Sequence, residues 1–166
     1  MPNKSSINLE CSVAKAVVVL GDFWTLLIIR DLMLFGGVRR FESLREALDI
    51  SRNILTERLN KLVENGIVRK APVAEGARRM EYRLTRKGWE LMPIILSMAN
   101  WGIKWKENDR PPSYAFVDAK NKKPVVTPGV AGDDGRILGP SDMEIVPLTE
   151  EAELYLQAFK AADKVG

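Results

Sequence analysis

Histidine is absent from this 166-residue chain, and cysteine occurs once, as Cys11. The first gap removes Ser/His/Asp and Cys/His catalysis, both of which need an imidazole base. Together the two gaps remove structural zinc of the usual Cys/His kind. An enzyme built on carboxylates or lysine is formally left, but no nucleophile–base arrangement is visible. The expectation is therefore no enzyme, no catalytic or metal-binding residue and no cofactor. A single thiol fits a reducing, cytoplasmic setting better than a secreted one. Long apolar runs are missing too. Residues 16–20 and 23–29 are closed off by Lys15, Asp22 and Arg30, far short of the ~20 residues that span a bilayer. No basic leader, apolar core and cleavage site follow in order at the N-terminus, so neither a signal peptide nor a membrane partner is expected.

What is present is an ordinary globular composition, 46% hydrophobic and 28% charged, enough to bury a core without disulfides. Its net charge of +3 is unevenly spread. Residues 1–106 carry 18 Lys and Arg against 11 carboxylates, and residues 107–166 carry 7 against 11. The N-terminal part suits a polyanion, and the tail should avoid one.

The stretch 41–84 is the most specific. Phe41, Leu44 and Leu48 share one face of a short helix, and Asp49-Ile50 leaves a turn of almost no length. From Ser51, Leu55, Leu59, Leu62 and Val63 recur at i, i+4, i+7 and i+8, one stripe of a second helix. Asn65-Gly66 is a left-handed helix stop. Residues 68–73 and 80–84 read as two strands about a basic loop. A helix-turn-helix followed by a wing is a device for reading DNA. Upstream, residues 11–20 and 23–35 read as helices, the second capped by Asp22 and apolar nearly all round, hence central. Downstream, Thr85 caps a helical stretch to about 106, which Pro93 should kink or divide near Met92. Beyond a charged linker at 107–112, strands are expected at 114–117, 124–127 and 144–147, with a Gly/Asp loop at 129–135. Thr149 then caps a final helix over 150–162.

Several runs resemble one family. They are Cys11 followed by Gly21-Asp22-Phe23-Trp24-Thr25-Leu26-Leu27-Ile28-Ile29-Arg30-Asp31-Leu32, then Arg39-Arg40-Phe41, Ile50-Ser51-Arg52-Asn53-Ile54-Leu55-Thr56-Glu57-Arg58-Leu59 and Glu81-Tyr82-Arg83-Leu84-Thr85-Arg86-Lys87-Gly88. In this order they are similar to HxlR-type regulators, a bacterial and archaeal group related to MarR proteins, over about 11–105. The resemblance implies a homodimeric winged-helix transcription factor that dimerises through its N- and C-terminal helices. It does not cover the tail from Ser113. The expected fold class is mainly α (α+β): a winged helix-turn-helix with a long C-terminal dimerisation helix and a small β-hairpin/helix extension. Residues 1–107 would form the DNA-binding and dimerisation domain, and 113–166 the α+β extension.

The expected DNA-binding residues follow. The second helix of the pair opens at Ser51 and shows Arg52, Asn53, Thr56, Asn60 and Lys61 on its polar face, with Arg58 at the edge. These are long donors and short amides, able to meet phosphates and the major-groove edges of guanine or adenine. An ordinary solvated face has a similar composition; the wing and the resemblance decide for DNA. Asn53 and Arg58 are expected to choose sequence. Glu57 is discordant, and either pairs with Lys61 at i+4 or reads a cytosine amino group. Arg78 and Arg79 at the wing tip suit phosphates or a narrow minor groove, although a solvated turn would look alike. Arg39 and Arg40 precede the first helix of the pair, where free N–H groups favour phosphate; Asp31 and Glu42 are placed to absorb one of them.

Three further features bear on assembly and control. Ile95, Ala99, Gly102 and Ile103 approximate a dimerisation seam. Cys11 opens a helix, where a thiolate is favoured, and the resemblance adds that some family members sense oxidants with a cysteine near this position. Against sensing, lone cysteines more often act as small buried hydrophobes, and no second cysteine could resolve a sulfenic acid within the chain. Trp24, Trp89, Trp101 and Trp105 could line an effector pocket, or fill a core or seam. The expected function is a sequence-specific DNA-binding transcriptional regulator, a repressor binding a palindromic operator as a homodimer. Its partners would be double-stranded DNA, a second copy and a small-molecule or redox effector. The rival is a winged-helix protein–protein interaction module with the extension as docking surface.

Overall fold

A computed structural model of the chain describes residues 11–105, 116–125, 127, 129–144, 146–150, 152–154 and 157. It divides into two compact units, Met1–Val126 and Thr127–Gly166; the sequence pattern had drawn its boundary at the 107–112 linker.

The first unit is a mixed α/β fold arranged about one apolar helix. Helix α1 (Ser12–Leu20) ends where the Gly21 amide donates to the Val17 carbonyl at 2.7 Å. Helix α2 (Phe23–Leu34) starts at Asp22, whose carboxylate accepts from the Thr25 amide at 3.0 Å and from the Thr25 hydroxyl. That bond satisfies an amide with no partner inside the helix. Thr25, Ile28, Ile29, Leu32 and Met33 of α2 are buried, so this helix is central, as its nearly uniform apolar surface predicts. The chain then reverses and enters a three-residue strand, β1 (Val38–Arg40). Nothing in the sequence pattern predicts β1, because three residues show no alternation and its partner lies far along the chain.

Helix α3 (Phe41–Leu48) closes on Asp49 in the left-handed region, φ 48°, and α4 (Arg52–Glu64) opens on Ser51, whose Oγ accepts from the Ile54 amide at 3.4 Å. This is the expected helix-turn-helix. Leu44, Leu55, Leu59 and Leu62 are fully buried between the two helices and α2. Val63 differs from expectation: it is 38% exposed, because it lies about 100° around the helix from Leu62, beyond the buried arc. Strands β2 (Val68–Pro72) and β3 (Met80–Leu84) form the wing, pairing antiparallel from Val68↔Leu84 to Pro72↔Met80. Strand β1 lies on the other side of β3, giving the order β1-β3-β2.

Thr85 ties the base of the wing together. Its hydroxyl donates to the Gly66 carbonyl at 2.7 Å and accepts from the Gly88 amide at 3.1 Å, capping α5 (Arg86–Trp89). The helical stretch expected over 85–106 is divided, with α6 spanning Met92–Trp105. Pro93 is the second residue of α6, where its missing N–H loses no intrahelical bond. Ile95 of α6 completes the core. No single helix among the described residues is long and apolar enough to cross a membrane; α1 and α2 pass such a test only as a pair, bent by 80°.

The strands expected at 114–117 and 124–127 reduce to one bridge, Val117↔Pro124, about a turn held by the Asp118 carboxylate, which accepts from the Lys120 amide at 2.7 Å. Residues 114, 115 and 126 of that expectation lie outside the described residues.

The second unit contains a hairpin of β4 (Val130–Ala131), which falls inside the expected Gly/Asp loop at 129–135, with β5 (Ile137–Leu138), which lies just beyond it. A 3-10 turn follows at Pro140–Asp142. Residues 144, 146 and 147, where a strand was expected, are not in one, and Ile145 lies outside the described residues. The final helix is present at 150 and 152–154, with Thr149 Oγ1 accepting from the Ala152 amide at 3.2 Å; residues 158–162 lie outside the described residues.

Gly88 sets how closely α5 approaches the wing. A Cβ there would stand 2.3 Å from the Ile67 carbonyl oxygen, so backbone would have to move. Gly88→Ala should lower the free energy of unfolding by about 1–3 kcal/mol, read from the midpoint of a urea transition at unchanged slope. An unaltered midpoint would mean that α5 can swing away freely.

Candidate nucleic-acid interface

Helix α4 buries Leu55, Leu59 and Leu62 and turns Arg52, Asn53, Thr56, Glu57 and Asn60 to the surface. Asn53 and Asn60 make no side-chain hydrogen bond among the described residues, so both amides keep their donors and acceptors. Thr56 donates to the Arg52 carbonyl at 2.8 Å and retains an acceptor oxygen. Arg52 is shared with α3. Its Nη2 lies 2.6 Å from Glu42 Oε1, and its guanidinium sits 5.2 Å from the Phe41 ring centre. Hydrogen bonds from Arg45 and then Arg52 hold the Glu42 carboxyl below the ordinary range.

Two of the expected DNA contacts are spent inside the protein. Arg58 places Nε 2.9 Å from Asp22 Oδ1 and Nη1 2.6 Å from Glu57 Oε1, with its side chain 23% exposed. It lies on the flank of α4 that meets α2, not on the open face, so the expectation that Arg58 reads bases gives way to an internal role. Glu57 accordingly pairs with Arg58 and not with Lys61. Arg39 donates to the Ser43 carbonyl at 3.1 Å, lies 3.5 Å from the buried Asp31 and stacks 3.9 Å over the Phe35 ring. Of the adjacent pair, Asp31 therefore absorbs Arg39, whereas Arg40 is exposed and has no partner among the described residues.

The wing carries Arg78 and Arg79, both exposed and unpaired among the described residues, beside Gly76 at φ 73°. Arg79 and Arg40 line one hollow of about 360 Å³ at the start of α3, with Phe41, Glu42, Ser43 and Met80. Strand β2 adds Arg69 and Lys70, exposed and without side-chain partners among the described residues. Arg69 stands opposite Arg83 in the register, and Glu81 takes up the Arg83 charge, which leaves that of Arg69 uncompensated among the described residues. Sequence reasoning passed over both residues, although two adjacent cations early in a wing strand are a usable signal.

A second surface lies on α1 and α6. Cys11, the N-terminal cap position of α1, is exposed. Ile95, expected in the dimer seam, is only 6% exposed and packs into the core. Ala99 and Ile103 are exposed, and nothing approaches Gly102. The apolar stripe that α6 leaves open is Ile94, Met98, Trp101 and Trp105, at the i, i+4, i+7, i+11 spacing of one helix face. Ile94 and Met98 line a groove of about 450 Å³ with Val13, Val17, Leu20 and Leu26. Trp24 packs against the core and Trp89 covers Gly37, so neither lines this groove. Among the described residues no cluster of three metal-ligating side chains occurs.

A helix of free amides behind a tight turn, flanked by a basic hairpin, defines a winged-helix DNA-binding domain. The HxlR-like helix-turn-helix model matches residues 19–110, and the chain belongs to this family of DNA-binding transcriptional regulators. An HTH-type transcriptional regulator of Mycobacterium tuberculosis is 42% identical over 94 residues, 57% of this chain and 58% of the relative. The chain thus matches little more than half the length of that relative. The crystal structure of PA1607, a candidate transcription factor, is similar at a TM-score of 0.76 and 34% identity, covering 84% of this chain and 96% of that one. Residues 1–126 alone are too few for that share, so the likeness reaches into the extension. The redox regulator HypR in its reduced form matches at 0.53 and 28% identity, covering 58% of this chain and 95% of its own.

Burial opposes ionisation of Asp22, but the Thr25 hydroxyl and amide and the Arg58 guanidinium outweigh it and set its carboxyl below its ordinary value of 3.8. A depressed carboxyl contributes stability that is complete above the unfolded pKa and drains as pH falls through the folded one. The stability gap between wild type and Asp22→Asn should therefore be constant above about pH 5 and narrow towards about pH 3, as followed by thermal melts. A gap that stays constant down to the lowest pH would show that Asp22 carries no such linkage.

Proposed function

We propose that this regulator is a repressor that binds a roughly palindromic operator as a homodimer, one α4 in each of two successive major grooves. The observation that carries the reading is the exposed face of Asn53 and Asn60, bracketed by Arg40, Arg78 and Arg79, all without side-chain partners among the described residues. An asparagine amide matches N6 and N7 of adenine, whereas exposed arginines on a turn and a strand end suit phosphates. Ser51, Arg52, Thr56 and Lys61 extend the contact along α4. Arg69 and Lys70 join it from the wing. A dimer seated over a promoter excludes polymerase, which makes repression the simplest outcome. The rival reading, a winged helix serving protein contacts, has no comparable support in a family of DNA-binding regulators.

The exposed stripe of Ile94, Met98, Trp101 and Trp105 supports the second copy, since contiguous apolar surface of this kind marks an interaction face. Ala99, Gly102 and Ile103 flank it. A redox effector is supported by the exposure of Cys11 and by likeness to a protein named as a redox regulator. Alkylation of Cys11 without change in operator affinity would remove that support.

Two experiments test the reading. If a dimer meets ~6–10 phosphates, affinity should fall by ~10³ or more between about 50 and 200 mM salt. Within that series Arg79→Ala should flatten the salt slope for every sequence alike, and Asn53→Ala should relax choice at one base pair by ~1–3 kcal/mol. Affinity independent of salt would sink the proposal. For the dimer, Met98→Glu should yield a folded monomer by sedimentation that no longer holds the operator. Ile95→Glu should instead unfold the domain, since it buries a charge in the core. A Met98→Glu variant that stays dimeric would move the seam elsewhere.

A further inference from the structure

We infer that Asp22 and Arg58 are positioning residues for sequence choice, and that the residue they position, Glu57, accepts a hydrogen bond from the amino group of a cytosine in each half-site. This rests on the reading of α4 as the recognition helix.

A carboxylate on a DNA-facing helix is costly unless it is neutralised and has a donor to meet. Glu57 lies on the open arc of α4, between Asn53 and Asn60 along the helix axis, with its side chain 69% exposed. Its Oε1 is taken by Arg58 Nη1 at 2.6 Å, which leaves Oε2 directed to no group among the described residues. A carboxylate only accepts hydrogen bonds. In the major groove the donors are the amino groups of cytosine and adenine, and that of adenine sits beside the N7 acceptor, which repels a carboxylate. Cytosine is the base that fits.

The Glu57–Arg58 contact is not a routine helical pair. Neighbours at i and i+1 point away from each other on a helix, so the guanidinium must be turned back to reach Glu57. Asp22 does this from 36 positions earlier in the chain, taking Arg58 Nε at 2.9 Å. Asp22 is itself fixed as the cap of α2 by the Thr25 amide at 3.0 Å. The rigid fork of arginine then carries that placement to Glu57. Lysine, with one point charge, could not hold both carboxylates at fixed angles.

The test is selection of bound DNA from a random pool by the full chain and three variants. Wild type should select a cytosine at one position of each half-site. Glu57→Gln should move that preference to adenine, which glutamine contacts through N6 and N7. Asp22→Asn keeps the helix cap, because asparagine caps as well as aspartate, but removes the negative charge that grips Arg58 and leaves Oδ1 as a neutral acceptor for the Thr25 amide and Arg58 Nε. It should lower discrimination at that position by about 5-fold or more, with flanking preferences retained. Arg58→Lys, which leaves the Asp22 cap untouched, should reproduce the loss and serves if Asp22→Asn folds poorly. An unchanged preference in Glu57→Gln overturns the inference. So does a uniform loss of affinity in Asp22→Asn and Arg58→Lys with the cytosine retained, the mark of a merely structural role. If wild type selects no sequence at all, the reading of α4 falls first and this inference with it.

Discussion

Helix α2 must be buried, and the rest of the winged-helix unit follows from that. Its twelve residues offer Arg30 and Asp31 as their only charges, so solvent can be given almost no face of it. Helices α3, α4 and α6 and strands β1 and β3 all pack on it. Burying the larger part of an apolar helix is worth more than local propensity can supply, since short helices in water are marginal. The eight residues of α3 and the three of β1 owe their order to this surface.

The same burial sorts the cations. A charge in contact with the core needs a partner, and the carboxylates nearest α2 supply it: Asp31 faces Arg39 and Arg30, and Asp22 holds Arg58. Glu42 gathers Arg45 and Arg52 at the helix-turn-helix, and Glu81 holds Arg83 within the wing. Among the described residues of the helix-turn-helix and the wing, Arg40, Lys61, Arg69, Lys70, Arg78 and Arg79 are left without a carboxylate. Exposed ion pairs contribute little to stability. Their distribution nevertheless decides which positive charges are available to an external anion.

The helix-turn-helix was legible because its information is local. Periodicity, the Ser51 cap and the Asn65-Gly66 stop all lie within a few residues of what they specify. The misses share a different origin. Strand β1 depends on pairing with β3, and the β4–β5 hairpin is only two residues per strand. Arg58 looked like a base reader because Asp22 is remote in sequence. On α6 the period was read correctly but its phase was not. Ile94 and Ile95 are equally apolar, and only the position of α2 decides that Ile95 turns inward while Ile94 remains 45% exposed. Local pattern fixes that a helix has an apolar face; tertiary packing chooses which of two adjacent apolar faces is the inner one.

One turn of chain joins the two surfaces of the winged-helix unit. Gly21 borders the apolar groove of α1 and α6, and the next residue, Asp22, caps α2 and grips the recognition helix through Arg58. Arg58 and Asp22 are partly shielded from water, with side-chain exposures of 23% and 26%, so the contact is screened less than one in the open. The α1–α2 joint between them is short and tied, with the Gly21 amide bonded to the Val17 carbonyl at 2.7 Å and the Asp22 amide to the Leu20 carbonyl at 2.9 Å. The apolar groove and the DNA-facing helix thus border one short segment of chain, and α2 meets α4 both by packing and through the Asp22–Arg58 contact.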